Sequence, residues 1–468
     1  MNVVNIRKTF LFSPQIVLMK KKVNLLNLLQ AEIESIAFKN SYRKSEKDFT
    51  RTRVFTFSTI IIMQINIISR SLSVEISKFL GRFSLLKTLK EGSKQAYSQA
   101  RKKIKWSGYV HLNDLFIKSF YADTNLKRYK DKYVLIGTDG TTYELPYERE
   151  LIDHFGVYDN GQGHPICMAQ GLKYYDLLNH LNLAAFFEPY AGASNKGQSE
   201  RACFEKGLAK FSTLMSDCQP IQHNFLFVGD KYYPSFYNFY TLSKLGYSYI
   251  FRCKANFCKE VEAFCKSDAV DEWITLDLTL KHRKYSTSLR RLGDMPQSMT
   301  IRCVKKILNN GEVLCLVTNV GQDLSTQEVC DVFFIRWKEE TSFDTDKNKL
   351  EVENFSSKTL NGVKHDFYAT ILTANIAQLV ISEAQDRVNQ EQAKKNNLYP
   401  YQINTAVAIG IIKDEIPNLL TGQQRTQDWF ERLVTIITKH KQPVRKNRIF
   451  KKKRKHKLKY PINRRRVL

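Results

Sequence analysis

Six side chains of the kinds that handle phosphate esters stand out by type and spacing. Asp139 and Asp230 follow the apolar runs 133–137 and 224–229, as a buried strand delivers a polar group at its end. Phe333, Arg336, Glu340 and Lys347 lie at offsets of 0, 3, 7 and 14 residues. At about 100° per residue these offsets return to roughly one helix face, so a ring, a guanidinium, a carboxylate and an ammonium would share it. Each feature also has a plainer reading. Asp139-Gly140 is a strong hairpin-turn signal, Asp230 reads equally as an exposed strand end, and Arg336 with Glu340 reads as a surface ion pair worth about 0.2–0.5 kcal/mol.

Together the acids supply what metal-dependent phosphoryl chemistry needs. Carboxylates about 4 Å apart repel by about 4 kcal/mol per pair at an effective dielectric of about 20, so such a cluster stands only where cations or protons compensate it. Magnesium suits the role because it takes hard oxygen ligands and keeps part of its water shell. Two such ions about 3.5–4 Å apart would serve the attacking and the leaving oxygen. No Ser-His-Asp or Cys-His signature competes, and His223, His282 and His365 are too scattered to be assigned a catalytic role. Glu339, beside Glu340, is a second acid in the same stretch, and the spacing to Arg336 and Lys347 favours Glu340.

The elements that must position these groups follow from pattern. Apolar residues at helical spacing over 23–38 and 54–80 predict a small helical unit, continued by a basic helix over 95–105 that carries Arg101, Lys102 and Lys103. That helix reads either as a solvated surface or as a phosphate contact, and its lack of a balancing acid favours the latter. From residue 132 short apolar runs alternate with helical stretches. Strands are expected near 133–137, 165–178, 183–189, 224–229 and 247–253, with helices over 199–215 and 234–245, which argues for an α/β sheet. Short β-like runs over 254–331 form a β-rich insertion or complete the sheet. Helices follow over 365–388 and 405–420. Trp337 and Trp273 both read as core residues.

Composition narrows the partner. The chain has 468 residues, 43% of them hydrophobic, enough for a full core and two to four structural units. Lys and Arg number 73 against 46 Asp and Glu, a net charge of +27. Fifteen of the positive charges lie in 439–468, a segment without acids that reads as a flexible arm, and the rest of the chain still carries +12. Such a surplus favours nucleic acid over membrane. The nine cysteines form no Cys-x-x-Cys pair, so reduced thiols in a cytoplasmic protein are expected and zinc is not supported. The apolar stretch 54–68 is only 15 residues long and holds Ser58, Thr59, Gln64 and Asn66, short of the roughly 20 apolar residues of a membrane span, and reads as a buried helix. No secretion signal is read in residues 1–38.

These motifs carry a resemblance. The chain resembles bacterial insertion-sequence transposases of the DDE class, the family whose signature around the third acid is Tyr-x2-Arg-x3-Glu-x6-Lys. Thr138-Asp139-Gly140 through Pro146 looks like its first-aspartate motif, and Val228-Gly-Asp230 like its second. Ile335-Arg-Trp337 leading to Glu340 and Lys347, then Asn354-Phe-Ser-Ser357, looks like its third. The likeness spans about 48–388. It implies an α/β fold: an RNase H-like catalytic core, a mixed sheet with flanking helices, over 131–254 and 331–438. A β-rich insertion would occupy 255–330, a helical DNA-binding region 1–130 and a basic tail 439–468.

Carried over, Asp139, Asp230 and Glu340 would be catalytic ligands of two Mg2+ ions, with Mn2+ as a substitute. Phe333, Arg336 and Lys347 would engage the transposon end, with Arg101, Lys102 and Lys103 as further DNA contacts. The partners implied are terminal inverted repeats and target DNA, bound by a homodimer. Phe333 departs from the signature tyrosine, keeping the ring but losing the hydroxyl donor. Rival readings are a structure-directed nuclease on the same fold and an inactive transposase-derived DNA-binding protein.

Overall fold

The computed structural model describes residues 14–51, 53–66, 71–83, 92–122, 126–159, 161, 165–193, 197–216, 224–278, 296–395, 397–421 and 426–445. His223, His282 and the basic tail from 446 onward lie outside them. The described residues form two compact units, one drawn from 14–66, 73–108 and 376–445, the other from 71–72 and 109–375.

The first unit is helical. It opens with α1 (Pro14–Glu34), α2 (Ile36–Tyr42), α3 (Phe57–Ile65), α4 (Leu72–Phe83) and α5 (Lys94–Arg101). Thr56 caps α3, whose residues are buried except Ser58 and Thr59, as the short apolar run predicted. Gln64, the polar exception inside it, accepts a hydrogen bond from the Tyr97 hydroxyl at 2.7 Å. The expected basic helix is shorter than its sequence suggested. It is capped by Ser93 and ends at Arg101, which is 5% exposed, so burial removes Arg101 from any phosphate-facing set. Lys102 and Lys103 are exposed in the turn that follows, and Asp48 pairs with Lys103 at 3.2 Å, a balancing acid from another segment.

The second unit is built on one mixed sheet of nine strands: β1 (Tyr133–Glu144), β2 (Val157–Tyr158), β3 (Ile166–Asp176), β4 (Leu181–Pro189), β5 (Asn224–Gly229), β6 (Ser248–Cys253), β7 (Asp271–Asp277), β8 (Ser298–Ile307) and β9 (Val313–Thr318). Strand β3 pairs antiparallel with both β1 and β4, while β1, β5 and β6 run parallel. Three antiparallel strands followed by two parallel ones give the RNase H-like arrangement. The β-rich segment 255–330 completes the sheet: β9 pairs with β6, β8 with β9 and β7 with β8. Trp273 on the outermost of them is 47% exposed, because an edge strand leaves part of its surface uncovered, and is not the core residue expected.

Helices α6 (Ser107–Tyr121), α7 (Arg149–Phe155), α8 (Glu200–Ser216), α9 (Phe236–Lys244), α10 (Lys259–Lys266), α11 (Thr326–Ile335) and α12 (Trp337–Asp344) accompany the sheet. Alternation assigns the faces. Leu135 with Leu226 and Val228 packs against Val329, Val332 and Phe333 of α11, whereas Phe227 meets Phe204 and Phe211 of α8. The opening of α13 (Leu360–Ala393) adds Val363, Phe367 and Ile371 to a second cluster with Tyr143 and Phe187. From residue 376 this helix belongs to the first unit, with α14 (Thr405–Lys413), α15 (Ile416–Leu420) and α16 (Thr426–Thr438).

Candidate active site

The two aspartates meet because their strands are in register. The last parallel pair between β1 and β5 joins Thr138 to Gly229, so Asp139 and Asp230 are the next residues on neighbouring strands about 4.8 Å apart. Both continue the side-chain parity of Leu135, Leu226 and Val228, which places them on the face covered by α11. The turn expected at Asp139-Gly140 does not form. Strand β1 runs on to Glu144 because β3 still offers a ladder partner after β5 has ended, and Glu144 pairs with Met168. Asp139 is therefore held inside a strand, opposite Lys173 of β3. The Asp230 carboxylate accepts the Tyr232 N–H at 2.8 Å in a tight turn.

The third stretch is a chain of helical pieces. Ser325 and Glu328 form a capping box at the start of α11. Arg336 lies between α11 and α12, and a π-helical turn over Thr345–Lys349 follows. Arg336 reaches two of the expected acids: its Nη1 lies 3.5 Å from Asp139 and its Nη2 2.9 Å from Glu340. Lys347 turns back to β1, donating to the Thr142 carbonyl at 2.6 Å and lying 5.0 Å from the Tyr143 ring centroid.

Phe333 is 7% exposed in the core and supports the Arg336 guanidinium 5.7 Å from its ring centroid, so packing takes it out of the DNA-facing set. Trp337 is 66% exposed, the reverse of the core position expected, because α12 begins with it rather than continuing the apolar stripe of α11. His365 is buried edge-on against Tyr109, away from the acids.

Two further carboxylates border Asp139, one on each side in sequence. Gly140 donates its N–H to Asp139 Oδ1 at 3.0 Å and to Glu200 Oε1 at 3.1 Å. Gly137 is opposed by Glu339, and a Cβ there would meet Glu339 Oε2 at 2.5 Å. Glu339 is fully buried and its oxygens meet no partner in good hydrogen-bond geometry, although the Asp139 N–H stands close enough to favour its charged form, whereas the Glu340 side chain is 35% exposed.

The electrostatics follow from this crowding. Burial, then the neighbouring Glu200, pushes Asp139 up to about 7, against the pull of Arg336. Burial also raises Glu200, and burial followed by Asp139 holds Glu339 well above the ordinary glutamate value. Among the described residues no three acidic, histidine or cysteine side chains are gathered tightly enough to hold a cation as they stand. The donor set nevertheless fits one: it consists of hard oxygens, carries more negative charge than Arg336 offsets, and includes a buried carboxylate without a partner in good hydrogen-bond geometry.

Sequence reasoning named Asp139, Asp230, Arg336, Glu340 and Lys347: Arg336 joins Asp139 to Glu340, Asp230 follows the last β5 residue paired with β1, and Lys347 stands farther along β1 at Thr142, 3.7 Å from Glu353. It missed Glu200, and it set Glu339 aside on spacing. The signal that would have found Glu200 is Gly140, where a Cβ would lie 2.6 Å from the Glu200 side chain.

The comparisons with known proteins bear on this site. Residues 207–376 match the family model of the transposase DDE domain. The matched segment contains Asp230, Arg336, Glu340 and Lys347, and Asp139 lies before it. Among solved structures the chain is similar to the piggyBac transposase synaptic complex with hairpin DNA, determined by cryo-EM. That likeness has 10% sequence identity and a TM-score of 0.41, covering 92% of this chain and 87% of the other. No curated protein matches.

Proposed function

We propose that the protein is the DNA transposase of an insertion sequence, binding its terminal inverted repeats and moving the element by metal-dependent strand cleavage and strand transfer. The observation that carries this reading is the adjacency of Asp139 and Asp230 where the β1–β5 pairing ends, with Arg336 linking Asp139 to Glu340. The transposase DDE domain matched over 207–376 supports it.

Asp139, Asp230 and Glu340 would hold two magnesium ions, or manganese in their place, which when bound supply charge neutralisation at the attacking and leaving oxygens of a phosphodiester. The protein's own groups do the rest. Arg336 is permanently charged and presents several donors in a plane, the geometry that reads phosphate oxygens. Its present carboxylate partners keep it extended where the β1–β5 pairing ends, and exchanging one of them for a phosphate leaves the guanidinium where it stands. Lys347 adds a second positive charge along β1, and the +27 net charge draws DNA to the molecule. Both hydrolysis at an element end and attack of the freed 3′ hydroxyl on target DNA use one phosphodiester geometry, so one site serves both. The element ends would be paired by a homodimer.

Purified Asp139→Asn protein should bind DNA carrying the element's inverted repeat and fail to cut it, as read on a labelled end fragment. Magnesium-dependent cleavage at the wild-type rate in that variant would overturn the assignment. A strand-transfer assay separates the transposase from a nuclease of the same fold, since only the former joins the freed end to a second DNA.

A further inference from the structure

We propose that Glu200 is a fourth carboxylate of this centre, a direct ligand for a divalent cation beside Asp139 and Asp230. The inference rests on the reading of the end of the β1–β5 pairing as a cation site.

Three observations place Glu200 there. The first is the shared donor: Asp139 Oδ1 and Glu200 Oε1 both accept from the Gly140 N–H, at 3.0 and 3.1 Å, so the two oxygens are at most about 6 Å apart. Two carboxylates bridged by one amide proton repel each other with little between them, and that is the electrostatic demand a divalent cation meets.

The second is how the residue is held. Ser199 caps α8 by accepting the Ala202 N–H at 3.2 Å, which fixes Glu200 at the first turn. The buried Tyr233, three residues after Asp230, donates its hydroxyl to the same Oε1. Glu200 is thus tied to the segments of both aspartates through one oxygen, and its Oε2 receives no hydrogen bond from the described residues. Glycine at 140 is what admits it, since a Cβ there would stand 2.6 Å from Glu200 Cγ and Cδ.

The third is an independent sign of missing positive charge. Glu339 is fully buried next to Gly137 with neither oxygen in good hydrogen-bond geometry, and Arg336 is already committed to Asp139 and Glu340. Arg336, together with Lys173, which is itself paired with Asp346, does not compensate Asp139, Asp230, Glu200, Glu339 and Glu340. A cation held by Asp139, Asp230 and Glu200 would supply positive charge that the protein's own groups do not.

The competing explanation is that Glu200 is only an acceptor fastening α8 to β1. Glutamine keeps an acceptor oxygen for Gly140 and Tyr233 but loses the charge, so it spares a fastening role and removes a ligand. Manganese binding to the full chain, without DNA, is followed by the loss of the free-ion electron paramagnetic resonance signal. Wild type should bind, Asp139→Asn should lose binding, and Glu200→Gln should weaken it at least about tenfold, with Glu200→Asp less impaired than Glu200→Gln. Wild-type affinity in Glu200→Gln, with binding lost in Asp139→Asn, would overturn the inference and leave the proposed site standing. Failure of the wild type to bind would remove both.

A second measurement needs no variant. Carbodiimide labelling of the wild-type chain with and without magnesium, read by peptide mass spectrometry, should show Glu200 protected by the ion. Protection of Asp139 with Glu200 labelled equally in both conditions overturns the inference.

Discussion

Asp139 and Lys173 face each other across β1 and β3, and they belong to two opposite treatments of charge. On the Lys173 side everything is settled internally. The ammonium lies 2.5 Å from Asp346 and 2.7 Å from the Ser342 hydroxyl, with the Phe343 ring centroid 4.3 Å away, and Lys173 and Asp346 are sealed from solvent. On the Asp139 side carboxylates outnumber the Arg336 guanidinium, and one of them, Glu339, makes no hydrogen bond in good geometry and is offset only in part by Lys173 and Arg336. A sealed pocket must balance its charges one for one, because nothing from outside can reach it. On the proposed reading, the acid excess where the β1–β5 pairing ends is where positive charge would arrive.

The contrast can be broken first at Lys173. Lys173→Met should cost about 3–5 kcal/mol by urea denaturation, because Asp346 is left as a buried unpaired charge. Adding Asp346→Leu should recover most of the loss. A single-variant loss below about 1 kcal/mol would mean that the pocket is not sealed.

Next comes His180, whose Nδ1 lies 3.4 Å from the hydroxyl of Tyr175, the ring that Lys173 approaches to 5.5 Å. Burial, then Lys338 and Lys127, lowers His180 to about 4. The imidazole is thus neutral in the folded protein, while the unfolded chain takes up a proton below about 6.5. Stability should therefore fall as pH drops from about 6.5 toward 4, by up to about 3 kcal/mol. His180→Asn, which tolerates the residue's φ of +59°, should flatten that part of the pH profile.

The smallest effect concerns the open side. Gly137→Ala would drive a methyl into Glu339 and to 2.8 Å from Leu177, at a cost of about 1–3 kcal/mol in thermal or chemical unfolding. Glu339→Ala in the same chain should relieve most of it. No relief would place the clash on Leu177 alone and weaken the case for Glu339 as a neighbour of Asp139.

What was legible in the sequence divides along the same line. Asp230 could be read because its apolar run stops where β5 stops, and Asp139 because the run before it ends where β5 ceases to pair with β1, although β1 itself continues to Glu144. The i, i+4 pair of Arg336 and Glu340 could be read because it is local. Glu200 could not, since its position depends on β1 running through Gly140, and the dipeptide Asp-Gly argues for a turn until β3 is known to lie alongside. Lys173 and Asp346 were equally hidden: a lysine flanked by Leu172 and Tyr174 signals nothing until its partner, 173 residues away, closes over it. Arg101 and Trp337 were misread for one reason. Charge and ring size suggested their surroundings, but the ends of α5 and α11 decide them.

The π-helical turn over Thr345–Lys349 bears on how the third motif keeps its spacing. An α-helix fixes Arg336 against Glu340 by its ordinary pitch, but the path from Glu340 to Lys347 passes through a turn one residue wider than usual, closed by Leu350 donating to the Thr345 carbonyl at 2.9 Å. Separation in sequence and angle around the axis are thereby uncoupled. Removing one residue between them would leave a regular helix and still swing Lys347 away from Thr142 and Asp346 away from Lys173. The winding of a single turn thus serves as a gauge that sets both the sealed pair and the cation along β1.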